Sequence, residues 1–275
     1  MDGTRTSGWL AAAGERGTRG LHAFRVSAKQ RLHLAIVLAL ALCVPVFAQD
    51  EPDIVFDPTI TQAEFEQFSR LAAQAIYHTP VEPARAGNLL RFDIGIAATA
   101  VPIDPESSYW QRSVGDDFSV SDHIVVPRLV VSKGISIATL SASYAKVQGS
   151  DIQMIGAGLD IPILNGGLIS PTLAVRGSYS QLQGVDEFDL KTYGVELFLS
   201  KGFGPITPYA AAGRMRSDAT GRIDVPDDEV EPLRDQFDQN RFTVGVRLSM
   251  LLPKIVVEAT QGEERSYAAK ISFGL

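Results

Sequence analysis

The sequence predicts an all-β protein: an antiparallel up-and-down transmembrane β-barrel of about ten strands, with a short N-terminal helix on the periplasmic side. Three observations predict it. From Asn88 onward apolar residues recur with period two in ten segments, each near the length at which a tilted strand crosses a bilayer. The connections alternate between tight turns and longer polar loops, as they do between the two faces of a membrane barrel. Along the clearest strands one face is apolar, while the other carries Gly, Ala, Ser and Thr with isolated charges.

Composition sets the outer limits. A chain of 275 residues suits one large all-β domain or two ordinary ones. Hydrophobic residues at 45% and charged ones at 21% exclude a wholly disordered chain. A net charge of −7 argues against a nucleic-acid binder. The single Cys43 excludes a disulfide framework and a Cys-based zinc site. No stretch reaches the roughly eighteen apolar residues of a membrane-spanning helix, an exclusion that does not touch strands.

The first element is an address. Arg5, Arg16, Arg19, Arg25, Lys29 and Arg31 precede the apolar run from Leu34 to Ala48, which Pro45 interrupts. Basic region, apolar core and Ala48 before Gln49 make a secretory signal peptide over residues 1–48, cleaved after Ala48. A lipoprotein signal using Cys43 is the weaker reading, because Leu42 stands where a small residue is expected. Setting aside the six basic and two acidic residues of this segment leaves 19 basic against 30 acidic, a net of −11. The expected product is exported, acidic and cysteine-free, and it carries no Gly-rich phosphate loop.

Residues 49–88 form an N-terminal segment whose centre is helical. Thr61 and Glu64 make a capping box, and Phe65, Phe68, Leu71, Ala72 and Ile76 recur on one face, giving a helix over about 61–77. Pro80 and Pro83 end it. So short a helix needs a partner for its apolar face; closing the bottom of the barrel suits it better than contact with another protein.

The barrel occupies residues 89–275. Its strands are expected at 89–101, 123–133, 135–147, 151–163, 169–182, 190–201, 206–217, 241–252, 255–262 and 266–275. Tight turns fall at Lys133-Gly134, Asn165-Gly166-Gly167, Gly202-Phe203-Gly204 and Pro253-Lys254. Long polar connections run from Asp104 to Asp122 and from Asp218 to Asn240. An even strand count puts both barrel ends on the periplasmic side, with eight or twelve strands as the alternatives.

Three observations favour apolar side chains outside over a soluble barrel of lipocalin type. The polar face is poor in the Lys and Glu of a solvated exterior. Its charges can compensate in a narrow lumen: Asp93, Asp160, Glu196 and Glu258 against Arg128, Arg176, Arg214, Arg216, Arg247 and Lys270. Arg176 and Glu196 are expected to face each other across adjacent strands. Tyr144, Tyr179, Tyr193, Tyr209, Phe242, Tyr267 and Phe273 lie near strand ends on the apolar face, as interfacial girdles require.

The last strand, SYAAKISFGL, places Tyr267, Ala269, Ile271, Phe273 and Leu275 at alternating positions from the C-terminus. It resembles the terminal signal by which outer-membrane β-barrel proteins of Gram-negative bacteria are recognised for insertion, with Leu275 standing in for the usual terminal aromatic. From about Gln62 to the C-terminus the chain also resembles a group of small outer-membrane barrels with no assigned activity. The similarity is strongest in PTLAVRGSYSQLQGVD and SKGFGPITPYAAAG. The resemblance implies fold, an outer-membrane location, and membrane lipid and the barrel-insertion machinery as partners. It implies no activity.

Chemistry is sparse. His78 follows the helix and His123 begins the second strand beside Asp122. Omptin proteases resemble this chain in strand count and activate water with rim carboxylates and an Asp–His pair. Asp116, Asp117, Asp122 and His123 fit that picture only loosely, and strand-edge charges explain them more simply. A lipid-modifying hydrolase needs a Ser beside its His, and His123 has no evident one. The acidic loop holds Asp218, Asp224, Asp227, Asp228, Glu229, Glu231, Asp235 and Asp238 without the ligand spacing of a calcium site. No catalytic residue, cofactor or metal is therefore expected. In a barrel this narrow side chains fill most of the interior, which favours a salt-bridged closed lumen, serving a structural or surface-interaction role, over a passive channel.

Overall fold

The computed structural model describes residues 53–85, 87–114, 122–167, 169–223, 231–250 and 252–274. The signal peptide, its cleavage site, Asp116, Asp117 and Leu275 lie outside these.

Ten strands close into one antiparallel barrel. They are β1 (Phe92–Pro102), β2 (His123–Ile135), β3 (Ala138–Lys146), β4 (Gln153–Leu164) and β5 (Thr172–Gln183), then β6 (Phe188–Ser200), β7 (Ile206–Gly221), β8 (Leu233–Ser249), β9 (Lys254–Gln261) and β10 (Arg265–Gly274). Each strand pairs with its sequence neighbours, and β1 closes on β10 from Asp93↔Gly274 to Ala100↔Tyr267. No strand edge is left unpaired, which a wall in lipid requires.

The side-chain distribution is that of a membrane barrel. Ile96, Val195, Val244 and Val257 are about half exposed or more on the outside, whereas Arg176 and Lys270 have no exposed surface. Leu197 points out and Glu196 in, as the polar-centre arrangement demands.

β8 differs from expectation, beginning at Leu233 rather than 241, and β7 runs on to Gly221. Their pairing extends to Gly221↔Leu233. Both faces are largely polar in this extension, so its period of two carries no hydropathy contrast. The expected loop from Asp218 is correspondingly shorter.

The N-terminal helix, α1 (Gln62–Ile76), forms with the expected capping box: Thr61 accepts from the Glu64 backbone N–H, and the Glu64 carboxylate accepts from that of Thr61. A second, one-turn helix, α2 (Ser108–Gln111), lies in the long β1–β2 loop. The sequence favours a periplasmic α1 closing the bottom of the barrel and leaves open whether it enters the lumen; the structure corrects the end. The helix lies inside, at the long-loop end, where Gln62 donates to the Arg234 carbonyl and Arg70 pairs with Glu263 at 3.1 Å. From Tyr77 the chain descends through the lumen and leaves at the short-turn end, where the Gly87 N–H donates to the Ile137 carbonyl. The physical reason is the partner its apolar face finds. Val101, Leu190, Met215 and Phe237 point inward near the upper strand ends and, with Phe188 and Trp110, form one core with Phe65, Phe68 and Leu71. Phe56 meets Phe65, Phe68 and Phe188 edge to face at centroid distances of 5.4–5.9 Å.

Candidate functional site: the filled lumen

What a barrel can pass or bind depends on what occupies its centre, and here the chain itself does. Below the helix the segment Tyr77-His78-Thr79-Pro80-Val81-Glu82-Pro83 meets the wall in nearly every direction. The wall glycines make room for it. A Cβ at Gly194 would lie 1.9 Å from the Tyr77 hydroxyl, and one at Gly156 would lie 2.7 Å from the His78 ring.

Wall side chains answer the polar groups of this segment one by one. Arg128 on β2 donates to the Ala75 carbonyl at 2.7 Å and the Tyr77 carbonyl at 2.9 Å. Helix α1 has no basic residue in its last turn, so a cation from the wall caps its negative end. Tyr77 donates its hydroxyl to Glu196 at 3.1 Å, and the Arg241 guanidinium lies 3.9 Å over its ring. The His78 N–H donates to Ser180, while the two ring nitrogens meet Ser143 at 2.8 Å and Ser141 at 2.9 Å. Thr79 donates to Glu258, which also accepts from Tyr209 at 2.7 Å.

Lower down, Glu82 is the centre of a charge cluster. It accepts from Arg85 at 2.9 Å and from Lys270 at 3.3 Å. Lys270 also reaches Asp93, which pairs with Lys254 at 2.8 Å. Arg176 grips both oxygens of Asp160, at 2.6 and 2.9 Å, donates to the Glu82 carbonyl, and stacks on Phe198 at 4.2 Å. Such bidentate, charge-assisted contacts are the strong ones.

Of the lumenal set read from the sequence, the structure brings Asp93, Arg128, Asp160, Arg176, Glu196, Glu258 and Lys270 into this interior. Arg247 also faces in and donates to Thr207 at 3.1 Å. Arg176 and Glu196 are direct register partners, but the ion pair of Arg176 is with Asp160 and that of Glu196 with Arg241, at 3.7 Å.

Two assignments are corrected. Arg214 and Arg216 point outward, and Tyr209 points inward. Strand β7 reads Tyr209-Ala210-Ala211-Ala212, which gives hydropathy nothing to choose between. Chemistry chooses: the Tyr209 ring fits over Gly245, and its hydroxyl finds the buried Glu258. The interior residues absent from the lumenal set read from the sequence are Tyr77, His78, Glu82, Lys254 and Arg241. Arg241 was within reach, since it shares the β8 face of Thr243, Gly245 and Arg247; the plug residues were not, because period two does not extend to them.

At the rim, His123 Nδ1 meets Asp122 at 2.9 Å, with both side chains well exposed. Among the described residues no cluster of three metal-ligating side chains occurs. Tyr267 and Phe273 of the C-terminal strand lie half exposed on the outer face, and Ile271 shares their parity.

No family model matches the chain, and no curated protein does. Among solved structures it is similar to the N-terminal β-barrel domain of Pseudomonas aeruginosa OprF, with 10% identity, a TM-score of 0.33, and coverage of 70% of this chain and 100% of that one. It is also similar to Ail, the attachment invasion locus protein of Yersinia pestis, solved with the heparin analogue sucrose octasulfate. There the identity is 10%, the TM-score 0.27, and the coverage 67% of this chain and 95% of that one. The chain's own closed sheet and inverted faces carry the conclusion: it is a small ten-strand membrane-type barrel filled by its own N-terminal segment.

Proposed function

We propose that the protein is an outer-membrane barrel with no open path, a structural scaffold for interactions at the cell surface. The observation that carries this reading is the threaded segment from α1 to Gly87, bonded to β2, β3, β5, β6, β8, β9 and β10 on its way down. A pore needs water where this segment lies. Tight turns mark the periplasmic end of such barrels and longer loops the outer end. The loops, α2 and the start of the described chain are then on the outside, where a partner is met.

The outer-facing Tyr267 and Phe273, together with Leu275, are the part of the chain that would engage the insertion machinery. Export by a signal peptide cleaved after Ala48 fits the same route.

Conductance in planar bilayers tests the closed lumen. The intact protein gives no stable current steps, whereas Arg128→Met combined with Glu82→Gln, which loosens the plug at both ends, gives intermittent ones. Steady steps from the intact protein would replace this reading with that of a narrow channel.

A further inference from the structure

We propose that the outside of the barrel carries a binding site for a phosphate-bearing lipid of the outer leaflet, formed by a groove over Gly177 beneath Arg214 and Arg216. The proposal rests on the membrane reading above, but not on the closed lumen.

The groove, of about 760 Å³, runs along the outer faces of β3 to β8, with Asp238 of β8 at its edge. Its floor is Ala157 and Gly177, and Leu140, Leu159 and Val195 stand around it. Gly177 faces outward, whereas Gly156, Gly194, Gly213 and Gly245 face the filled lumen. A Cβ added at any of those four would collide with a neighbour; at Gly177 it would meet nothing within 4 Å. Backbone packing does not require a glycine there. What its absent side chain leaves is a shallow, open groove in the apolar wall, of the chemistry that suits an acyl chain.

The upper end of the groove changes character abruptly. Outward residues of β6 pass from Leu199, Leu197 and Val195 to Tyr193 and then Lys191; those of β7 pass from Ala210 and Ala212 to Arg214 and Arg216. Tyr179 and Tyr193 stand side by side at that boundary, with ring centroids 5.2 Å apart, as aromatics at headgroup level do. Two arginines just above an apolar band are cheap at headgroup depth and costly deeper. Arg216 is the register partner of Tyr193, and both side chains line the groove.

The nearby carboxylates do not satisfy these arginines. Arg214 approaches Asp238 only to 3.5 Å and Arg216 approaches Asp218 only to 3.9 Å, and the guanidinium-bearing side chains remain 68% and 50% exposed. Asp218 also accepts from Gln236. With Lys191 beside Asp218 in register, three cations face two carboxylates. Fork-shaped donors with free N–H groups suit the oxygens of a phosphate, and the apolar bed below supplies the chain that should be attached to it.

Native mass spectrometry of the micelle-solubilised protein tests this, with diphosphorylated lipid A as probe and its fully dephosphorylated form as the phosphate-free comparison. The intact protein retains lipid A and not the dephosphorylated form. Arg214→Gln with Arg216→Gln, and separately Gly177→Leu, each lower retention about tenfold or more. Gly177→Leu places its side chain in open space, so heat-modifiable migration should stay normal. Equal retention of both lipids, unchanged retention in the variants, or a dimer of this chain in place of the lipid adduct would each overturn the site. Failure of the intact protein to insert into vesicles would sink the membrane reading itself, a different result from insertion without selective retention.

Discussion

Arg176 shows how a charge is kept in the middle of a membrane. It has no exposed surface and is held by Asp160, the Glu82 carbonyl and the ring of Phe198. Removing it strands Asp160 as a dry, unpaired carboxylate. Arg176→Ala should therefore cost about 3–5 kcal/mol, read as a lower urea midpoint of the vesicle-folded protein, while removing both charges with Arg176→Met and Asp160→Leu should cost less. Glu64, at the loop end, gives a pH effect of definite sign. The Ser108 hydroxyl, the Thr61 backbone N–H and the Arg112 guanidinium hold its carboxyl down from the usual 4.5 to about 2. The folded form is thus the stronger acid. Its stabilisation is complete above pH 4.5 and is lost as pH falls through about 2, so Glu64→Gln should flatten the acid limb of the stability profile over that window. At this scale the sequence was legible wherever hydropathy contrast was strong. Arg176 and Glu196 lie on strands whose alternate residues are Val175 and Leu197, whereas Arg214 follows a run of alanines and was placed on the wrong face.

Among the elements, α1 was readable as a helix and unreadable as a plug. Its capping box and its Phe65, Phe68, Leu71 face are local facts, but the seat for that face is assembled from strand ends far apart in the chain. Leu190, Met215 and Phe237 break the polar inner face of β6, β7 and β8 and call for something apolar to cover, but only Leu190 lay in an expected strand with the right phase. Met215 alternates with Arg214 and Arg216, which the sequence placed inward, and Phe237 fell in the expected loop from Asp218 to Asn240. Phe68→Ala removes the ring that meets Phe56, Phe188 and Trp110. The loss should be about 3–5 kcal/mol, seen first as faster hydrogen exchange of the α1 amides while the strand amides stay protected. Thr61→Ala, which deletes the cap, should cost about 1 kcal/mol by the same measurement.

At the scale of the whole molecule, ten strands followed from period and punctuation, while the β7–β8 hairpin outran its expected length and the turn expected at Lys133-Gly134 falls at Ser136-Ile137, because β2 stays paired with β3 as far as Ile135. The direction in which the N-terminal segment runs did not follow, because an even strand count fixes the ends of the sheet and says nothing of a chain that passes through its centre. The described chain starts at the loop end, where the Asp57 N–H donates to the Arg112 carbonyl. An epitope placed before Asp53 should be reached by antibody on intact cells; labelling only after permeabilisation would reverse the assigned orientation.

The strand that closes the cylinder is also one that grips the threaded filament: Lys270 on β10 holds Glu82 at 3.3 Å and Asp93 of β1 at 3.4 Å. Wall seam and enclosed chain thus share one lysine, so loss of that cation should loosen both together, and neither the ring nor its filling is fastened independently of the other.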